Sequence, residues 1–259
     1  MLMGSFNRDE FYEFILSNKV IGFYTEPIRL KSGRISPWYV NWRIITNDTY
    51  LIDKLTDYII SFAKSMDLYP KCFYGVPEGA TKIAIILQYK WAKQQPDFAP
   101  REYPLPMGRG KPKAHGTPQD RYFIGMPKGE TVIIEDVTTT GSSLLKILCE
   151  LKALDIDVVG VISLTNREEL TPIPRVDDES VVCEYSKLYE ELVGSSYEYP
   201  TKIEKIMKKL GIKYYSLSTA TILLPEACIR FKPSNEILKS VKEYFEKYSD
   251  IEVKLPESR

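Results

Sequence analysis

The chain has one histidine, His115, and four widely spaced cysteines in 259 residues. No two cysteines form a CxxC pair, so neither a zinc site nor a redox dithiol has its usual spacing. Cys72, Cys149, Cys183 and Cys228 read as reduced thiols, mostly buried as small hydrophobes. Net charge is missing too. Lys plus Arg and Asp plus Glu both count 35, which removes the global field that draws a protein to nucleic acid or an anionic membrane. No apolar run reaches the length of a membrane span, and the N-terminal "MLMGSFNRDEFYEFIL" lacks the basic-then-apolar order of a secretion signal. The expectation is a cytoplasmic protein with no nucleic-acid and no membrane partner. The pattern GxxxxGK[ST] is also absent, so a P-loop is excluded.

What is present can fill a large core, since 44% of the residues are hydrophobic. "FNRDEFYEFILSNKV" has the apolar spacing of an amphipathic helix, with Asn7 as its cap. "EPIRLKSGRISPWYVNWR" contains two extended runs joined by Lys31, Ser32 and Gly33. Helix-like and strand-like segments then alternate: helix "YLIDKLTDYIISFAKSM", strand "KCFYGV", helix "GATKIAIILQYKWAKQ", strands near "YPLPM" and at "TVIIED", helix "SSLLKILCELKAL", strand "DVVGVISLT". That order predicts an α/β fold with a mostly parallel central sheet flanked by helices. The stretch 108–129 has no apolar periodicity, and a long connection of this kind inside a compact domain is usually functional. "GIKYYSLSTATILL" has strand character and "SNEILKSVKEYFEKY" reads as a last amphipathic helix. The expected organisation is a single domain over 1–259, with an N-terminal appendage at about 1–45 and an insertion at about 168–205.

The segment "VIIEDVTTTGSSLLKIL" at 132–148 concentrates the chemistry. In an open parallel sheet, ligands bind beyond the carboxyl ends of the strands, which is where Glu135 and Asp136 fall. The turn that follows enters a helix, whose N-terminus offers free N–H groups and the positive end of a dipole. Gly141 allows close backbone approach, and Thr138, Thr139, Thr140 and Ser142 add hydroxyls, making a phosphate cradle. Two carboxylates beside a phosphate cradle suit a ligand that also carries vicinal hydroxyls, and a ribose 5-phosphate has both. The simpler alternative is a hydroxyl-rich helix cap, although a cap needs only one such group.

"VIIEDVTTTGSS" resembles the phosphoribosyl pyrophosphate (PRPP) motif of type I phosphoribosyltransferases. Three further segments are similar to the orotate phosphoribosyltransferase family: "LKSGRISPWYVN" at 30–41, its hood over the base; "GRGKPKAHG" at 108–116, its flexible catalytic loop; and "ISLTNREE" at 162–169, its strand end with an arginine for the orotate carboxylate. Three positions depart from the family pattern. Gly110 falls on the usual loop lysine, Gly79 on a frequent pyrophosphate-loop lysine, and Val40 on a frequent second aromatic.

The resemblance implies a type I phosphoribosyltransferase fold with an N-terminal hood, and Mg2+-dependent transfer of ribose 5-phosphate from PRPP to orotate with release of pyrophosphate. Lys113, His115, Glu135 and Asp136 are the implied catalytic residues. Arg109 and Lys111 would join the acids and the 138–142 turn in holding PRPP, and Lys31, Tyr39 and Arg167 would meet orotate. Mg2+ is expected to be held mainly by PRPP and water. A homodimer is implied, with the loop closing over the partner's site. Transfer to another base, or PRPP binding without catalysis, stays open at this stage.

Overall fold

The structure, a computed structural model, describes residues 5–172 and 199–256. Helix α1 (Arg8–Ser17) begins where the side chain of Asn7 accepts from the N–H groups of Asp9 and Glu10, the expected cap. Strands β1 (Ile21–Arg29) and β2 (Ile35–Val40) pair antiparallel as a two-stranded ribbon whose turn carries Lys31. A short α2 (Arg43–Thr46) leads to α3 (Thr49–Ser65). The sheet then forms from β3 (Cys72–Gly75), β4 (Thr131–Thr138), β5 (Val158–Asn166) and β6 (Lys213–Thr219) in the order β3-β4-β5-β6, every pair parallel. Between them run α4 (Thr81–Lys93), α5 (Pro118–Tyr122), α6 (Ser142–Lys152) and α7 (Ile203–Lys209). Helices α8 (Ala220–Phe231) and α9 (Asn235–Tyr248) follow β6.

Successive side chains of a strand point to opposite faces, which explains why the strands of this sheet are apolar throughout. Phe73, Val132, Ile134, Ile162 and Leu164 belong to the larger core with α1, α3, α4, α8 and α9. Their neighbours Tyr74, Ile133 and Val161 point the other way, into a smaller core with α6 and α7. Both faces are covered, so all strand ends on one rim are held rigidly. The ribbon of β1 and β2 joins the larger core through Ile21, Trp38 and Val40.

Two sequence expectations are corrected. "YPLPM" is not a sheet strand: Pro104 and Pro106 have no N–H to give a ladder, and only an isolated antiparallel bridge forms, between Gly108 and Phe123. "ATILL" does not continue as strand, because β6 stops at Thr219 and α8 starts at Ala220. Ala220, Leu223, Leu224 and Ala227 of α8 are buried at helical spacing. Most of the expected insertion lies outside the described residues, as does Cys183; the other three cysteines are buried. The flanks of the insertion are closed against each other, since Thr171 and Thr201 exchange backbone hydrogen bonds of 2.7 and 3.0 Å.

Candidate active site

Strand β4 delivers the two acids to the rim. Glu135 is buried, and its Oε2 accepts a 2.5 Å hydrogen bond from Thr138 Oγ1. Burial, and more weakly the Asp136 carboxylate, push the Glu135 carboxyl up to about 8, opposed by the Thr138 hydroxyl and the Lys31 charge. Asp136 is half-buried, and desolvation raises its carboxyl against the backbone N–H of Val137 and the charges of Arg43 and Lys31. Asp136 also explains Gly79, since a Cβ there would lie 2.1 Å from Asp136 Oδ2. The loop after β3 therefore presses its backbone against the acid and has no room for a side chain.

The turn from β4 into α6 has the cradle geometry in most respects. Gly141 caps α6 with φ of 75° and without any side-chain cap bond, which leaves the first-turn N–H groups to a ligand. Its Cβ would meet Ile203 Cδ1 at 2.5 Å, so the turn is packed tightly from behind by α7. The Thr140 and Ser142 hydroxyls are 2.9 Å apart. Thr138 does not join them. Its hydroxyl lies in the core between Glu135 and Ser163, 2.9 Å from Ser163 Oγ, and so braces the acid from below.

Three cavities meet at Lys31 and Ser143, whose Nζ and Oγ are 2.9 Å apart. The first, of about 380 Å³, is bounded by Tyr39, Arg43, Glu78, Glu135, Asp136 and Arg167. The second, of about 640 Å³, lies under the loop and includes Arg109, Lys111 and Lys146. The third, of about 390 Å³, contains Thr139, Thr140, Gly141 and Ser142 with Arg34 opposite. These volumes, side by side, suit a ligand with a flat ring at one end and phosphates at the other.

Lys31, Tyr39, Arg109, Lys111, Arg167, both acids and residues 139–142 are thus brought together as the sequence led one to expect. Lys113 and His115 are not: both are exposed and bound none of the three cavities. Arg167 is present but engaged, because its Nε donates to Glu169 Oε1 at 2.6 Å, Nη2 to Ser36 Oγ at 2.8 Å and Nη1 to the Trp38 carbonyl at 3.3 Å. Sequence reading missed Arg34, Arg43, Glu78, Ser143 and Glu169. Arg34, Ser143 and Glu169 stand inside segments already singled out, whereas nothing local distinguishes Arg43 from surface charge.

No family model matches the chain. It is 30% identical over 148 residues to the orotate phosphoribosyltransferase of Aquifex aeolicus, spanning 56% of this chain and 75% of that one. It is 32% identical over 149 residues to the orotate phosphoribosyltransferase of Bradyrhizobium diazoefficiens, 55% of this chain and 74% of that one. The crystal structure of orotate phosphoribosyltransferase from Francisella tularensis superposes with a TM-score of 0.59 at 19% identity, covering 93% of this chain and 100% of that one. The Leishmania donovani UMP synthase does so with a TM-score of 0.60 at 16% identity, over 92% of this chain and 42% of that one. A parallel sheet with an acid pair at a strand end, leading through a hydroxyl turn into a helix, under an antiparallel ribbon, is the type I phosphoribosyltransferase fold. Within that class, the chain belongs to the orotate phosphoribosyltransferase family.

Proposed function

We propose that the protein transfers the ribose 5-phosphate of PRPP to orotate, giving orotidine 5'-monophosphate and pyrophosphate in pyrimidine synthesis. The observation that carries this reading is the junction of three cavities at Lys31 and Ser143, with Glu135 and Asp136 between the ring-sized space and the phosphate turn. Residues 139–142 and the N-terminus of α6 would hold the 5-phosphate. Glu135 and Asp136 would accept from the ribose hydroxyls, and as ribosyl transfer builds positive charge on the ring, nearby carboxylates favour it. Arg109 and Lys111, on the loop side, would meet the pyrophosphate. Lys31, Tyr39 and Arg167 would line the base.

No group of three metal-ligating side chains forms among the described residues, so Mg2+ would be held mainly by PRPP and water, with the carboxylates of Glu78 and Asp136 at the first cavity able to accept from those waters. When bound, Mg2+ would neutralise phosphate charge. Lys113 and His115 are assigned to the pyrophosphate of a partner subunit's site in a homodimer, a reading supported by their exposure away from the cavities of their own chain. The substrates are small metabolites, in keeping with a cytoplasmic location, and no helix among the described residues is long and apolar enough to cross a membrane.

The test is pyrophosphate release from PRPP with Mg2+ against orotate, uracil, hypoxanthine and adenine. Release with orotate alone is expected. Release with only a purine would move the base assignment, and PRPP binding without release for any base would leave a PRPP-binding regulator as the reading.

A further inference from the structure

Glu169, just beyond the end of β5, is a buried carboxylate that holds two arginines facing two different cavities. Its Oε2 accepts from Arg34 Nη1 at 2.6 Å; its Oε1 accepts from Arg167 Nε at 2.6 Å and from the Tyr244 hydroxyl at 2.9 Å. Arg34 also gives Nη2 to the Leu170 carbonyl at 2.7 Å and lies 4.5 Å over the Tyr248 ring. Arg167 lies 3.7 Å over the Trp38 ring. Arg34 bounds the cavity at the hydroxyl turn, and Arg167 the cavity of Tyr39 and the acids. Two guanidinium charges against one carboxylate leave a net positive charge under both spaces, each of which takes an anionic group in the reaction proposed above. Each arginine keeps N–H groups beyond those that Glu169 uses, since a guanidinium has five.

We infer that Glu169 is a positioning residue that couples the phosphate and base subsites: it fixes Arg34 to receive the 5-phosphate and Arg167 to receive the orotate carboxylate. An arginine held by a buried carboxylate and an aromatic face loses little further freedom on meeting a ligand, and a planar fork so fixed suits both phosphate and carboxylate. Removing the Glu169 charge should free both forks together. A carboxylate that only tied the hood to the sheet would loosen everything about it without regard to which arginine is present.

The experiment is a set of double-mutant cycles read in Michaelis constants. Glu169→Gln alone should raise the constants for PRPP and for orotate by about tenfold or more, the scale of one charged hydrogen bond, with a smaller change in kcat. In an Arg34→Ala background the same change should raise only the orotate constant, and in an Arg167→Ala background only the PRPP constant. Increases in both constants in both backgrounds, or in neither constant of the single variant, overturn the inference. Thermal unfolding shows whether Glu169→Gln folds; if it does not, Glu169→Asp, which retracts the carboxylate by one methylene, is read by the same pattern. The inference rests on the transfer reading: a wild-type protein without orotate-dependent release overturns both, whereas an active wild type with the wrong pattern overturns only the coupling.

Discussion

Glu135 sits in an environment far from that of an ordinary surface carboxylate. It is buried at a strand end and braced by Thr138, with a second acid next in sequence. Burial lifts its carboxyl from the ordinary 4.5 to about 8, so the folded, ligand-free chain holds a proton that the unfolded chain releases. The stability this contributes is complete below about pH 4.5 and is lost as pH rises toward about 8. Asp136 and Glu168 are shifted in the same direction, so the wild-type curve alone does not isolate Glu135. Glu135→Gln, which has no proton to lose, should flatten the fall in melting temperature between those two pH values. The check is the wild-type minus variant difference across that range, and a difference that stays constant with pH would show that Glu135 is already ionised in the free protein. In function, a carboxyl neutral when free and ionised beside a ribosyl cation would place negative charge where the reaction develops positive charge.

At the scale of the element, the turn from β4 to α6 depends on one backbone conformation. Gly141 has φ of 75° and lies against Ile203 of α7. Gly141→Ala would carry the left-handed penalty of roughly 1–2 kcal/mol and would also have to displace the Ile203 side chain. Chemical denaturation should show a loss of about that size or more, with a raised Michaelis constant for PRPP because the cradle shifts. Unchanged stability would mean that the turn relaxes without cost. The motif that forms this turn was legible in sequence, because acids, hydroxyls and glycine are contiguous there. So were α1 with its Asn7 cap and the apolar strands of the sheet. Helix α8 was not, since "STATILL" is rich in β-branched residues and Pro225 stands inside the helix, and both signals argue against one. Its burial at Ala220, Leu223, Leu224 and Ala227 comes from the tertiary core, which overrides local preference. Glu169 was illegible for a related reason. One partner, Arg167, is two residues away in the same segment, but the others are Arg34, 135 residues away, and Tyr244, 75 away, and no local pattern announces contacts of that span.

Over the whole molecule, zero net charge conceals a concentrated arrangement. Cations from the ribbon turn, the loop and the end of β5 converge on two carboxylates of β4, and the field that would attract PRPP is local. Lys113 and His115 stand apart from this set, although they lie in the same loop as Arg109 and Lys111. In the proposed homodimer they serve the partner's site, and two-fold symmetry makes that service reciprocal. Subunit complementation tests it. Lys113→Ala and Asp136→Asn proteins, each expected to be nearly inactive alone, are mixed under conditions that allow subunit exchange. In a mixed dimer with the loop acting in trans, one site carries both defects and the other carries neither. Activity should then return toward a quarter of the wild-type level per subunit, about the statistical yield when half of the dimers are mixed and each has one intact site. Were the loop to act within its own chain, every site in the mixed dimer would keep one defect, and confirmed exchange with no gain in activity would rule out the shared arrangement.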